Sequence, residues 1–94
     1  MKTYIAIGYF KHDKARNMKS IIEECRTKTE MIQDCKGNGF VAHLILSEEQ
    51  MLELAKMDEV ELVKTIVSLM HYTKQVWDVA GYLYQHCNSI KENI

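Results

Sequence analysis

The chain contains no proline. No pyrrolidine ring marks where a helix stops, so element ends must be read from caps and glycines. Arginine is nearly absent, with Arg16 and Arg26 the whole supply. Bidentate readout of phosphates or base edges is therefore scarce, and phosphate contacts fall to lysine, backbone N–H groups or helix N-termini. Lys+Arg number 12 against Asp+Glu 13, a net charge of −1, so duplex nucleic acid finds no basic footprint. No apolar run approaches the roughly 18 residues of a membrane span, and no basic-then-apolar start reads as a signal peptide. Cys25, Cys35 and Cys87 are odd in number and lack CxxC spacing. That pattern points away from a disulfide framework or a zinc knuckle, and towards free thiols in a reducing cytoplasm.

What is present suits one small domain over residues 1–94, with 47% hydrophobic and 27% charged residues. Such a chain buries only a modest core, and self-association would add stability. Thr3 to Phe10 alternates Ile5, Ile7 and Tyr9 against Tyr4, Ala6, Gly8 and Phe10, a strand covered on both faces. Gly8 within it marks a bulge or a close backbone approach. Lys11 to Asn17 is polar and reads as a solvated loop. Met18 to Arg26 fits either a helical period or a second strand hairpinned to the first. Thr27 with Glu30 forms a capping-box signature, starting a helix that stops at Gly37 as its C′ residue. Gly37-Asn38-Gly39 is the clearest turn. Phe40 to Leu46 is a strand, Ser47 caps a short helix with Met51, Leu52, Leu54 and Ala55 inward, and Asp58 with Glu61 caps the next. The expected fold class is α+β: a small antiparallel sheet of two or three strands packed with helices, and a long C-terminal amphipathic helix.

From Val60 to Ile94 the apolar positions follow heptads. Leu62, Leu69, Val76, Leu83 and Ile90 form one row; Ile66, Thr73, Ala80, Cys87 and Ile94 form the second. Val63, Met70, Trp77 and Tyr84 add a third, while Lys64, His71, Asp78, Gln85 and Glu92 carry the polar side. About 32 helical residues would reach ~48 Å, against a radius of gyration of ~12 Å for a domain of this size. Either the helix breaks, or a second copy covers it. The wide apolar face favours a homodimer or higher oligomer through this helix.

Candidate chemistry is sparse. Lys36 to Gly39 offers backbone N–H groups to a phosphate, but Gly39 precedes a strand, as in an ordinary helix-to-strand turn. The four histidines have no metal-ligand spacing, so no metal is expected. His43, between Val41 and Ile45, reads as a partly buried, hydrogen-bonded core or interface residue. GxSxG is absent, and a helix C-terminus beside Cys35 raises rather than lowers a thiol pKa. Neither a catalytic residue nor a cofactor is expected, and the chain does not read as an enzyme. The cluster that stands out is His71 to Asp78, HYTKQVWD. Tyr72, Lys74 and Trp77 lie within two turns, a sufficient kit for a purine and a phosphate. The plainer reading is that Trp77 and Tyr84 simply continue an apolar row.

The order of these features, MKTYIAIGYF, a helix ending in KGNGF, FVAHLIL, a capped helix and a long aromatic-bearing helix, resembles the small phage anti-Thoeris proteins. Members of that family are non-catalytic homo-oligomers that sequester cyclic ADP-ribose-type signals or cyclic oligonucleotides, so that a host immune effector is not triggered. The resemblance implies a cytoplasmic nucleotide sponge. It places ligand contacts at Tyr72, Lys74, Trp77 and Asn88, with His71 alongside. The competing readings are a protein-binding inhibitor of a host defence nuclease, of the anti-CRISPR kind, and a purely structural helical dimer.

Overall fold

Both faces of the first strand are used, and this sets the layering. The protein is described by a computed structural model covering residues 1–70 and 76–92. Three strands and four helices follow in the order β1 (Lys2–Phe10), β2 (Lys19–Cys25), α1 (Lys28–Gly37), β3 (Phe40–Ser47), α2 (Glu48–Leu54), α3 (Glu59–Leu69) and α4 (Val76–Glu92). The sheet is antiparallel with β1 in the centre, in the order β2-β1-β3. Met18 to Arg26 is thus resolved in favour of the hairpin strand. The alternation in β1 splits the core as its period of two requires. Ile5 and Ile7, beside Leu46 and Leu44 of β3, face α2, α3 and α4, where Met51, Leu54, Leu62, Ile66, Val79 and Leu83 complete one cluster. Tyr4 and Ala6 face α1 and form the other cluster with Cys25, Met31, Cys35 and Phe40.

Side-chain caps set the helix starts. Thr27 accepts from the Glu30 amide, and Glu30 reaches back to the Arg26 amide at 3.2 Å, one residue short of a reciprocal box. Ser47 and Gln50 close the full box, at 3.2 Å and 3.0 Å. Asp58 accepts from Glu61 at 2.9 Å. Each cap is worth about 1 kcal/mol, against about 1.5–3 kcal/mol for burying one Leu or Ile. Caps therefore choose where helices begin, and burial decides that they form at all. At the end of α1, Gly37 is still helical. Asn38 is the C-cap, and Gly39, at φ +69°, takes the left-handed position expected of Gly37.

The heptad stretch carries two helices, not one. The chain leaves the helical conformation at Met70 (φ −92°, ψ 139°), whose amide still bonds the Ile66 carbonyl at 3.0 Å. Val76 then starts α4, which packs against α3. The longest molecular extent is 33 Å and the radius of gyration 12.4 Å, so a ~48 Å helix would have overhung the sheet. Breaking it lets both halves lay their apolar rows on the same sheet face. Leu62, Ile66, Val76, Ala80, Leu83 and Ile90 are all buried. Among the described members of the rows, Val63 and Cys87 are half-buried and Leu69, Trp77 and Tyr84 are exposed, while Thr73 and Ile94 lie outside the described residues. No described helix is long and apolar enough to cross a membrane.

The register of β1 and β3 jumps by one residue after Ile7: Ile7 pairs with Leu44 and Gly8 with Ala42, leaving His43 as the extra residue of a bulge. Gly8 has no room for a side chain, since a Cβ there would collide with the Val41 carbonyl oxygen and lie 2.8 Å from its carbon. Gly8→Ala should lower stability by about 3 kcal/mol or more, because backbone rather than a flexible side chain must move. Gly81→Ala, inside α4 with nothing beyond its own stretch of helix within 4 Å of the added carbon, should raise it by about 1 kcal/mol. Urea denaturation of the two variants checks both signs.

Candidate functional site

Of the five residues expected to hold a ligand, His71, Tyr72 and Lys74 lie outside the described residues, and Trp77 and Asn88 are both on α4. Trp77 sits in the first turn and is 73% exposed. Asn88 is eleven residues on, roughly 16 Å along the axis. It lines a separate apolar hollow between α2, α3 and α4, with Leu54, Leu83 and Tyr84. The structure therefore does not bring Trp77 and Asn88 into one pocket.

Trp77 instead borders a groove of about 520 Å³ between α4 and the β1–β2 hairpin, lined also by Tyr9, Arg16, Asn17, Gly81 and Gln85. The hairpin loop is built around Asp13. Its carboxylate accepts from the amides of Ala15 and Asn17, both at 3.1 Å, while its own carbonyl accepts from the Arg16 amide at 3.1 Å. This aspartate-centred turn holds Arg16 at φ +53°, a left-handed conformation that a non-glycine residue adopts at a cost. The Arg16 guanidinium lies 5.5 Å from the centre of the Tyr9 ring, a cation–π contact. Tyr82, beneath the groove, is tied to β2 by a 3.0 Å hydroxyl bond with Ser20. Gly81 leaves the helix surface bare beside Trp77. One wall thus presents a large aromatic face, the other a guanidinium, with amides at Asn17 and Gln85 and one acid, Asp78. A flat heteroaromatic ring with a phosphate matches this set by stacking and charge.

Sequence reasoning missed Arg16 and Tyr9. Lys11 to Asn17 read as a solvated loop, and Tyr9 as a core residue. The available signal was Asp13 two and four residues before Ala15 and Asn17, the spacing of an aspartate-centred turn.

His43, the bulged residue, stands with its ring 5.4 Å from that of Tyr9. It is half-buried as expected, but among the described residues its buried Nε2 has no hydrogen-bond partner, contrary to the hydrogen-bonded role expected of it. Burial lowers its pKa below 6.5, with the Asp78 charge opposing the shift. On the far face of the sheet, Glu23, Cys25 and Asp34 bring their ligand-type atoms within 4.8 Å of one another. Burial, and then Asp34, push the Cys25 thiol up to about 11, and Cys35 is raised chiefly by burial rather than by its helix end. Both thiols are free, buried and unreactive in character.

Comparison with protein-family models, curated proteins and solved structures finds no match for the chain.

The Glu23 carboxyl is raised above 4.5 by burial and by Asp34 beside it. Its folded form binds a proton more tightly than the unfolded chain does, so its ionisation at neutral pH works against folding. That penalty is complete above the folded pKa and disappears as pH falls below 4.5. Glu23→Gln should therefore unfold at higher urea than the parent at pH 7.5, and the advantage should vanish by about pH 4. Equal midpoints at pH 7.5 would remove the carboxyl repulsion from the account.

Proposed function

We propose that the protein binds a cyclic nucleotide in the groove beside Trp77 and holds it without turning it over. It would act as a phage-type counter-defence sponge in the host cytoplasm, the role implied by its resemblance to the small anti-Thoeris proteins. The observation that carries this reading is the position of Trp77. This tryptophan is 73% exposed and shares a groove of about 520 Å³ with the only arginine of the hairpin loop, an aromatic face and a cation lining one hollow. Stacking on its ring would bury the base, and Arg16 would meet the phosphate. Arg16 thereby takes the part that the sequence alone assigned to Lys74. Self-association through the C-terminal stretch stays part of this reading: one side of α3 and α4 packs on the protein's own sheet, while Val60, Val67, Trp77 and Tyr84 remain exposed for a second copy.

A panel of cyclic ADP-ribose isomers and cyclic oligonucleotides, followed by thermal shift and by Trp77 fluorescence, is the direct test. A ligand at a hundred times its Kd stabilises a single site by about 2.7 kcal/mol. The bound species should be recovered unchanged after denaturation. Two variants separate binding from folding. Arg16→Gly relieves the left-handed conformation and should keep or raise stability while abolishing the ligand shift. Gly81→Ala should stabilise the free protein and weaken binding by placing a methyl in the groove. No shift with any member of the panel would sink the proposal.

A further inference from the structure

The two outer strands of the sheet are built differently. The β2 edge carries Lys19, Glu23 and Glu24, the charges that normally keep an edge from pairing. The β3 edge, FVAHLILS, carries no Lys, Arg, Asp, Glu or Pro over eight residues. Beside it runs a cavity of about 420 Å³, rimmed by Lys11, Lys28 and Lys36 and floored by Ile32, Ile45 and Leu69. Ile32 of α1 and Leu69 of α3 are 36% and 39% exposed, one helix on each face of the strand. His43, with its orphaned Nε2, lines the same cavity.

We infer that β3 is an interface for a second copy of this chain, the two β3 strands pairing antiparallel about a two-fold axis to make one six-stranded sheet. The charges at its ends select that occupant. Lys11 and Lys36 stand at the Phe40 end, where the Lys11 amide bonds the Gly39 carbonyl and the Lys36 carbonyl accepts from Gly39. Glu48 and Glu49 stand at the Ser47 end and are exposed. Antiparallel pairing sets the lysines of one copy against the glutamates of the other at both ends, whereas parallel pairing would set like charges together. The open backbone groups of β3 are satisfied, and Ile32 and Leu69 are covered. This contact is separate from the Trp77 groove and does not depend on a ligand.

Light scattering at micromolar and submillimolar concentration should show a dimer, and amide exchange should be slowed in β3 rather than in α4 when the dimer forms. Lys36→Glu should weaken dimerisation about tenfold, because two symmetry-related ion pairs become repulsive together. Adding Glu49→Lys to the same chain should restore it. Both positions are exposed, so circular dichroism should report an unchanged fold. A monomer at every concentration would overturn the inference. So would a dimer indifferent to Lys36→Glu, or one whose protection lies on α4 alone.

Discussion

The tight approach of β1 to β3 at Gly8 is the contact on which the rest of the architecture depends. Val41 presses its carbonyl against the space a side chain would need. That closeness accommodates the one-residue jump of register, and the jump keeps the strand faces in order. Before it, Ile5 and Ile7 meet Leu46 and Leu44; after it, Phe10 meets Phe40 on the α1 side. A slip of one residue would turn the apolar set of β3 to the wrong face. The bulge also sets His43 beside Tyr9, and Tyr9 supports Arg16, so the groove is built outward from the same irregularity.

Much of this was legible in the residues, and the failures have specific causes. Alternation named β1 and β3, and the three cap signatures placed the helix starts to the residue. The second strand stayed ambiguous because Met18, Ile21, Ile22 and Cys25 satisfy a helical spacing, and only pairing with β1 decides between the two. The length of the heptad stretch left two readings, a break or a covering second copy, but not the position of the break at Met70. The periodic rows run through it with no glycine or proline, so the local pattern described one helix. With α3 ending at Met70, α3 and α4 both fit within the 33 Å extent of the molecule, a tertiary relation that no window of sequence contains.

Of the candidate groove, the sequence offers Trp77 and not the residues opposite it. Trp77 was singled out by type, as the one tryptophan beside a lysine and a tyrosine. Its neighbours in space come from the opposite end of the chain, which a motif search along the helix does not reach. Asn88 shared its helical face with Trp77, but three turns of separation put it on another hollow. A count of two arginines says nothing of where Arg16 stands; its place in the groove comes from the turn that Asp13 imposes. A scarce residue in a strained, well-bonded loop is more informative than a cluster of common ones on a helix.

The bond between Ser20 and Tyr82 joins residues 62 positions apart, and Ile5 shares its core cluster with Leu83. At roughly 5–20 residues per second, the ribosome needs about 3–12 s to extend the chain from Ser20 to Tyr82. Helix α1 is complete well before α4, so the Tyr4 and Ala6 face of β1 gains its helix while the Ile5 and Ile7 face still lacks α4. Until α4 is made, Ile5 and Ile7 have Leu44 and Leu46 of β3, Met51 and Leu54 of α2 and Leu62 and Ile66 of α3 beside them, and this core lacks Val79, Ala80 and Leu83. The charge-free β3 strand is translated before α4, so an edge without gatekeeping charges emerges among neighbouring nascent chains before the core on its α4 side is complete.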